Sequence, residues 1–311
     1  MRDALAQTRT PSAAGGAAWS SQFSVGGVSV QLTGDDSAAV TLLPSLVPFR
    51  AEIGISDITI RVERAEKLGP SRGPRLFDSG ALWRLYGSEA GFQFDFTAPV
   101  FGDQPYKRLL VDSGFSRATL QVSEDVFATV PSSAPLDYPL DELLIMHRLT
   151  QEKAIELHSS GIVGTDGIGN LFVGHSGAGK STTTRLWTAN EDVEVLSDDR
   201  IIVRRDEPQY SGRMQMYGTP WHGEAAYASP GSAPLARIFI LEHGQGNVLT
   251  RLSPSQGVAE LFARSFVPFH RHEYVDSALE FLQELVEAVP CYHFAFEPDQ
   301  RAVDTILNLH D

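Results

Sequence analysis

The stretch Gly174-His-Ser-Gly-Ala-Gly-Lys180-Ser181 sets glycines, a lysine and a hydroxyl at the spacing G-x-x-x-x-G-K-[ST]. Each residue type has a physical job in holding phosphate. Glycine lets the backbone turn with positive φ and approach an anion with no Cβ in the way. Successive N–H groups can then converge as an anion nest, and a helix starting near Gly179 adds the positive end of its dipole. Lys180 is long enough to reach β- and γ-phosphates, and the Ser181 hydroxyl is a ligand type for Mg²⁺. The expected phosphate-contacting set is Gly174, His175, Ser176, Gly177, Ala178, Gly179, Lys180, Ser181 and Thr182, with ATP and Mg²⁺ as the ligands. His175 occupies a variable position, where its backbone N–H matters more than its ring.

Further along, the run Val193-Glu-Val-Leu196 leads into Ser197-Asp198-Asp199. A carboxylate at the end of a strand beside the loop strand is placed to hold Mg²⁺. A second, adjacent carboxylate could accept the proton of an attacking hydroxyl. Consecutive strand residues face opposite sides, so which of Asp198 and Asp199 is ligand and which is base stays open. Taken alone, the pair also fits a polar turn. His158, ahead of the loop, could orient a phosphate or be a satisfied core histidine. The loop Gly218-Thr-Pro-Trp-His222-Gly-Glu224 could contact substrate or complete a metal shell through Glu224, or be only a turn. Arg264, His270 and Arg271 flank Phe266 and Phe269; a guanidinium there could stabilise a transferring phosphoryl group, though surface charge is the ordinary reading.

These residues need elements to hold them. Residues 169–173 read as a strand feeding the loop, and 181–189 as the helix leaving it. Strands are expected at 155–163, 193–196, 200–204, 213–217, 237–241 and 248–252, and helices at 254–265, 275–288 and 299–309. Such alternation implies an α/β domain. Residues 23–129 read as β: 23–32, 53–62, 92–96 and 118–122 carry strand patterns between Gly and Pro punctuation. Asp112 and Asp125 there are expected as turn or surface acids. A helix is expected over 140–154. The division is a disordered lead-in at 1–20, a β-rich α+β domain at 21–135, with a linker over 130–135, and an α/β P-loop domain at 136–311.

The chain has 311 residues, 42% hydrophobic and 21% charged, which is a globular balance able to bury its cores unaided. A net charge of −14 argues against a nucleic-acid surface. The one cysteine, Cys291, permits no internal disulfide and is expected in a buried strand. No apolar run is long enough for a membrane span, and no signal peptide is seen, so a cytoplasmic setting is expected.

Leu157-His158-Ser-Ser-Gly161, the loop segment 171–182 and Leu196-Ser-Asp-Asp-Arg200 together resemble the HPr kinase/phosphorylase catalytic domain and its HPr-kinase-like relatives, with ATP-dependent phosphoenolpyruvate carboxykinase further off. The likeness covers about residues 140–311. It implies a P-loop kinase transferring phosphate to a serine-type hydroxyl on a peptide or small protein, with His158, Lys180, Asp198, Asp199 and Glu224 as catalytic residues and Ser181, Asp198 and Asp199 at the metal. HPr-type kinases form rings, so a homo-oligomer is part of the expectation. Thr182 stands where HPr kinases carry an acid, and the family's Gly-rich stretch with Glu and Arg is missing. The β-rich first half looks more like relatives associated with peptide tailoring. A small-metabolite phosphotransferase and a nucleotide-binding regulator without catalysis are the alternatives. An ABC-type ATPase lacks support, because the Leu-Ser-Gly-Gly-Gln signature is absent.

Overall fold

The computed structural model describes residues 19–35, 41–124, 134–190, 192–206 and 212–310. The expected lead-in and linker lie almost entirely outside them, as does Asp125. The chain forms two compact units, residues 1–24 with 28–148, and 25–27 with 149–311.

The first unit is a nine-stranded sheet built from β1 (Trp19–Val25), β2 (Val28–Gly34), β3 (Arg50–Ala51), β4 (Ile58–Ala65), β5 (Arg75–Asp78), β6 (Trp83–Ser88), β7 (Gly91–Phe96), β8 (Lys107–Asp112) and β9 (Arg117–Ser123), in the order β3-β1-β2-β4-β9-β8-β7-β6-β5. Gly26 and Gly27 turn β1 into β2 with φ of 59° and 77°, the positive pair that a two-residue hairpin favours. The expected strand over 53–62 starts only at Ile58. Asp57 accepts from the Ser29 N–H (2.7 Å) and hydroxyl (2.6 Å), which fixes the preceding residues as a turn and leaves Ile55 99% exposed. Asp112 is a turn acid, as expected, accepting from the Ser116 N–H and hydroxyl, both at 2.7 Å.

The helix expected over 140–154 is α1 (Leu140–Leu149), and its residues through Arg148 cluster with the first unit, so the division falls later than residue 135. The reason is packing: the His147 ring stacks on Phe115 (4.7 Å) and meets Phe94 edge-on (5.3 Å).

The second unit contains β10 (Ala154–Val163), β11 (Gly169–Val173), α2 (Lys180–Asn190), β12 (Glu194–Ser197), β13 (Arg200–Arg205), β14 (Met214–Tyr217), β15 (Ser232–His243), β16 (Val248–Arg251), α3 (Pro254–Phe262), β17 (Ser265–Phe266), α4 (His272–Ala288), β18 (Cys291–Phe296) and α5 (Gln300–Leu307). It is a mixed α/β unit. β11, β15 and β18 run parallel, and the pairings β10–β13, β13–β14, β14–β15, β15–β11 and β11–β10 close a ring. Strand residues alternate between two cores. Leu171 and Val173 of β11 and Ile238 and Ile240 of β15 pack with Phe281, Leu282 and Leu285 of α4. Phe172 and Phe239, one residue out of phase, pack with Trp187 of α2 and Val303 and Ile306 of α5. Apolar residues on both faces are what a strand covered on both sides requires. Cys291 is buried in β18, as expected.

Candidate functional site

β11 delivers the chain to Gly174, and α2 begins at Lys180. Between them the backbone is turned, not extended. The Ala178 N–H donates to the His175 carbonyl (3.1 Å), and Gly177 and Gly179 hold φ of 81° and 105°. Gly179 has a second reason to be glycine: a Cβ there would lie 2.5 Å from Phe296. His175, Ser176 and Gly177 are exposed, and Ser181 and Thr182 are half-buried. The Ser160 hydroxyl bonds the Thr184 hydroxyl (2.9 Å), tying the first turn of α2 to β10.

Strand register brings the rest together. On β10, Ser159 pairs with Val173 of β11, while His158 pairs with Arg200 of β13. His158 therefore sits where β10 passes from one partner to the other, next to the start of the loop, and its carbonyl accepts from the Gly174 N–H (3.4 Å). Its Nε2 lies 2.8 Å from Lys180 Nζ and 3.0 Å from Asp199 Oδ1. That nitrogen carries either a hydrogen or a lone pair, so the two contacts are alternatives. Protonated there, His158 donates to Asp199; with the lone pair there, it accepts from Lys180. Lys180 Nζ also donates to the carbonyls of Gly174 (3.0 Å) and His175 (3.4 Å).

Burial pulls the Lys180 ammonium down to about 8; Asp199 and Asp198 resist this, while Arg200 and Arg264 add to it. Burial pushes the Asp199 carboxyl up, but the His158 hydrogen bond and the charges of Arg200, His158 and Lys180 outweigh it, so Asp199 stays below its ordinary value. Arg200 pairs with Asp199, sits 3.6 Å from the fully buried Glu156 and stacks over the Phe266 ring at 4.1 Å.

Asp198 behaves differently from its neighbour. It is 1% exposed, and its oxygens accept from three backbone N–H groups, those of Gly223 (3.0 Å), Ala225 (2.9 Å) and Tyr227 (3.3 Å). Glu224 lies between these donors with its side chain exposed. Among the described residues no three His, Cys, Asp or Glu side chains converge as a metal site. A divalent ion here would draw on the Ser181 hydroxyl, ligand oxygens and waters, with Asp199 holding it through water, a hard oxygen set that suits Mg²⁺.

The structure thus gathers His158, Lys180 and Asp199 at the loop, and sets Asp198 beneath the turn containing Glu224. Arg264, read in the sequence as ordinary surface charge, is close enough to influence Lys180, and its carbonyl accepts from the His158 N–H (2.8 Å). Its side chain is only 11% exposed and is held by Glu260 at 2.5 Å. His270 and Arg271 pack on Tyr274 instead. Sequence reasoning passed over Glu156 and His243, and placed Arg200 in a motif without giving it a role. Glu156 and His158 share a strand face, and that two-residue spacing of polar groups in an apolar strand was a usable signal. His243, exposed at the end of β15, donates from Nε2 to the Gly177 carbonyl (2.9 Å); nothing local in the sequence marks it. No family model matches this chain, and no curated protein matches it as a relative.

Proposed function

We propose that the chain is an ATP- and Mg²⁺-dependent kinase of the HPr-kinase-like kind, acting in the cytoplasm on a Ser- or Thr-type hydroxyl of a peptide or small protein. One observation carries the reading. Lys180, His158 and Asp199 meet within 3.0 Å contacts at a glycine loop that opens a helix. Loop N–H groups, the α2 N-terminus and the Lys180 ammonium suit a polyphosphate. To reach it, Lys180 exchanges its carbonyl and His158 partners for phosphate oxygens. Bound Mg²⁺ supplies charge neutralisation on the phosphate oxygens. Asp199, kept ionised, takes the proton of the acceptor hydroxyl, directly or through His158. The hydroxyl oxygen bonds the γ-phosphorus, and the bond from that phosphorus to the β–γ bridging oxygen breaks, so ADP leaves with the electron pair. Arg264 and Arg200 add positive charge on the same side.

The test is incubation of the full chain with γ-labelled ATP, Mg²⁺ and panels of hydroxyl-bearing peptides and metabolites. Label transfer to peptides, abolished by Lys180→Ala and reduced about 10²- to 10⁴-fold by Asp199→Asn, is expected. Transfer to metabolites alone would move the acceptor class. Nucleotide binding that Asp199→Asn leaves intact, with no transfer to any acceptor, would make the chain a nucleotide-responsive regulator.

A further inference from the structure

Asp198 and Asp199 are adjacent in sequence but face different partners. Asp199 meets His158 and Arg200. Asp198 is sealed from solvent, and both its oxygens are taken by backbone N–H groups of residues 223–227. A buried carboxylate with three N–H donors is a satisfied group. At 1% exposure it leaves no open approach for a metal ion and its shell of waters.

The same segment is stitched down along its length. The Ser197 hydroxyl donates to the Trp221 carbonyl (3.5 Å), Thr219 Oγ1 donates to the Arg200 carbonyl (2.8 Å), and the Ser229 N–H donates to the Leu196 carbonyl (2.8 Å). Gly223 passes so close that a Cβ would lie 2.9 Å from Asp198 Oδ2 and 3.3 Å from Asp199 Cβ. Ala226 holds a left-handed φ of 58°, and the side chains of His222, Glu224 and Ala226 are exposed. The loop is fixed by its backbone and presents its side chains outward, directly beside Asp199.

We propose that Asp198 is a positioning residue, neither metal ligand nor base: it moors residues 223–227 as the acceptor-side wall of the site. This rests on the kinase reading for the word acceptor; the mooring itself does not. Asp199 is then the one carboxylate of the pair that faces the phosphate loop, and Asp198 acts through the loop.

The experiment compares wild type, Asp198→Asn, Gly223→Ala and Asp199→Asn in the full chain. Three quantities are read: affinity for ATP with Mg²⁺, kcat/KM for the peptide acceptor, and hydrogen exchange of the amides of residues 223, 225 and 227. Asn puts an NH₂ donor where an N–H needs an acceptor. Gly223→Ala shifts the loop and leaves both carboxylates in place, so it decides the matter if Asp198→Asn fails to fold. Expected for both variants is faster exchange at the loop, Mg²⁺–nucleotide affinity near wild type, and kcat/KM for the acceptor down about tenfold or more. The proposal is overturned if Asp198→Asn weakens Mg²⁺–nucleotide binding as much as Asp199→Asn while loop exchange stays slow. If wild type binds no nucleotide, the kinase reading fails, and the exchange data alone decide the mooring: unchanged protection in Asp198→Asn overturns it, and lost protection supports it.

Discussion

Among the residues gathered at the loop, Lys180 carries a clear pH signature. Its ammonium titrates at about 8 instead of the usual 10.5, chiefly because it is buried. Below about 8 it is charged and attracts phosphate; above that it becomes neutral. Nucleotide affinity should therefore hold up to about pH 8 and fall as pH rises through it. Lys180→Arg, whose guanidinium stays charged throughout, should bind more weakly but with a flat profile. Titration calorimetry between pH 7 and pH 9.5 checks both; a wild-type profile as flat as that of the arginine variant would contradict the assignment. The stability sign runs the other way. Between about 8 and 10.5 the unfolded chain holds more of this proton than the folded one, so Lys180 alone makes stability rise with pH across that window. At this scale the glycine spacing foretold the turned backbone between β11 and α2, because Gly177 and Gly179 take positive φ there. It was silent on His243, because a histidine at the end of β15 meets Gly177 only through the fold.

At the scale of elements, the site depends on β10 changing partners. Five of its residues pair with β13 and five with β11, and His158 falls at the last place of the first set. The strand pattern of 155–163 foretold β10 but not this division, since pairing partners are set by distant segments. The same holds for helix ends: 140–154 carries a helical apolar spacing, yet α1 stops at Leu149 and Ala154 opens a strand. The loop between β11 and α2 is held by packing as well as by turns. Gly179→Ala would put a methyl group 2.5 Å from Phe296 at a φ of 105°. A cost of about 1–3 kcal/mol is expected from backbone strain alone, more with the clash. Denaturant unfolding measures it, and nucleotide affinity should fall in parallel. Gly177, with open space around it, should tolerate alanine with less loss, limited by its φ of 81°.

At the scale of the whole molecule, the chain's one cysteine reports on the second unit alone. Burial, with the Glu260 charge adding to it, pushes the Cys291 thiol up to about 12, so in the folded protein it is an inert, unreactive side chain. A thiol reagent should label it only through opening of that unit. Saturating Mg²⁺–ATP, at about a hundred times its Kd, should slow that labelling roughly a hundredfold if opening is rapid and the nucleotide binds only the folded unit. The β-rich first unit was recognisable from period-two patterns, but the strand expected over 23–32 is broken into β1 and β2 by the Gly26–Gly27 turn, and β3, β5, β6 and β8 were not picked out. β5 is exposed at all four positions and lacks the buried alternation that marks a strand in sequence. No helix among the described residues is long and apolar enough to cross a membrane, in keeping with the charged composition.

In the proposed kinase, residues 174–181 close around the phosphates of a nucleotide with Lys180 as their cation. Titrating Mg²⁺–ATP into the intact chain and into Lys180→Ala tests this. One saturable site per chain is predicted, weakened by about 2–3 kcal/mol, roughly a hundredfold, when the ammonium is removed. No binding to the wild type, or equal binding to both proteins, would contradict it.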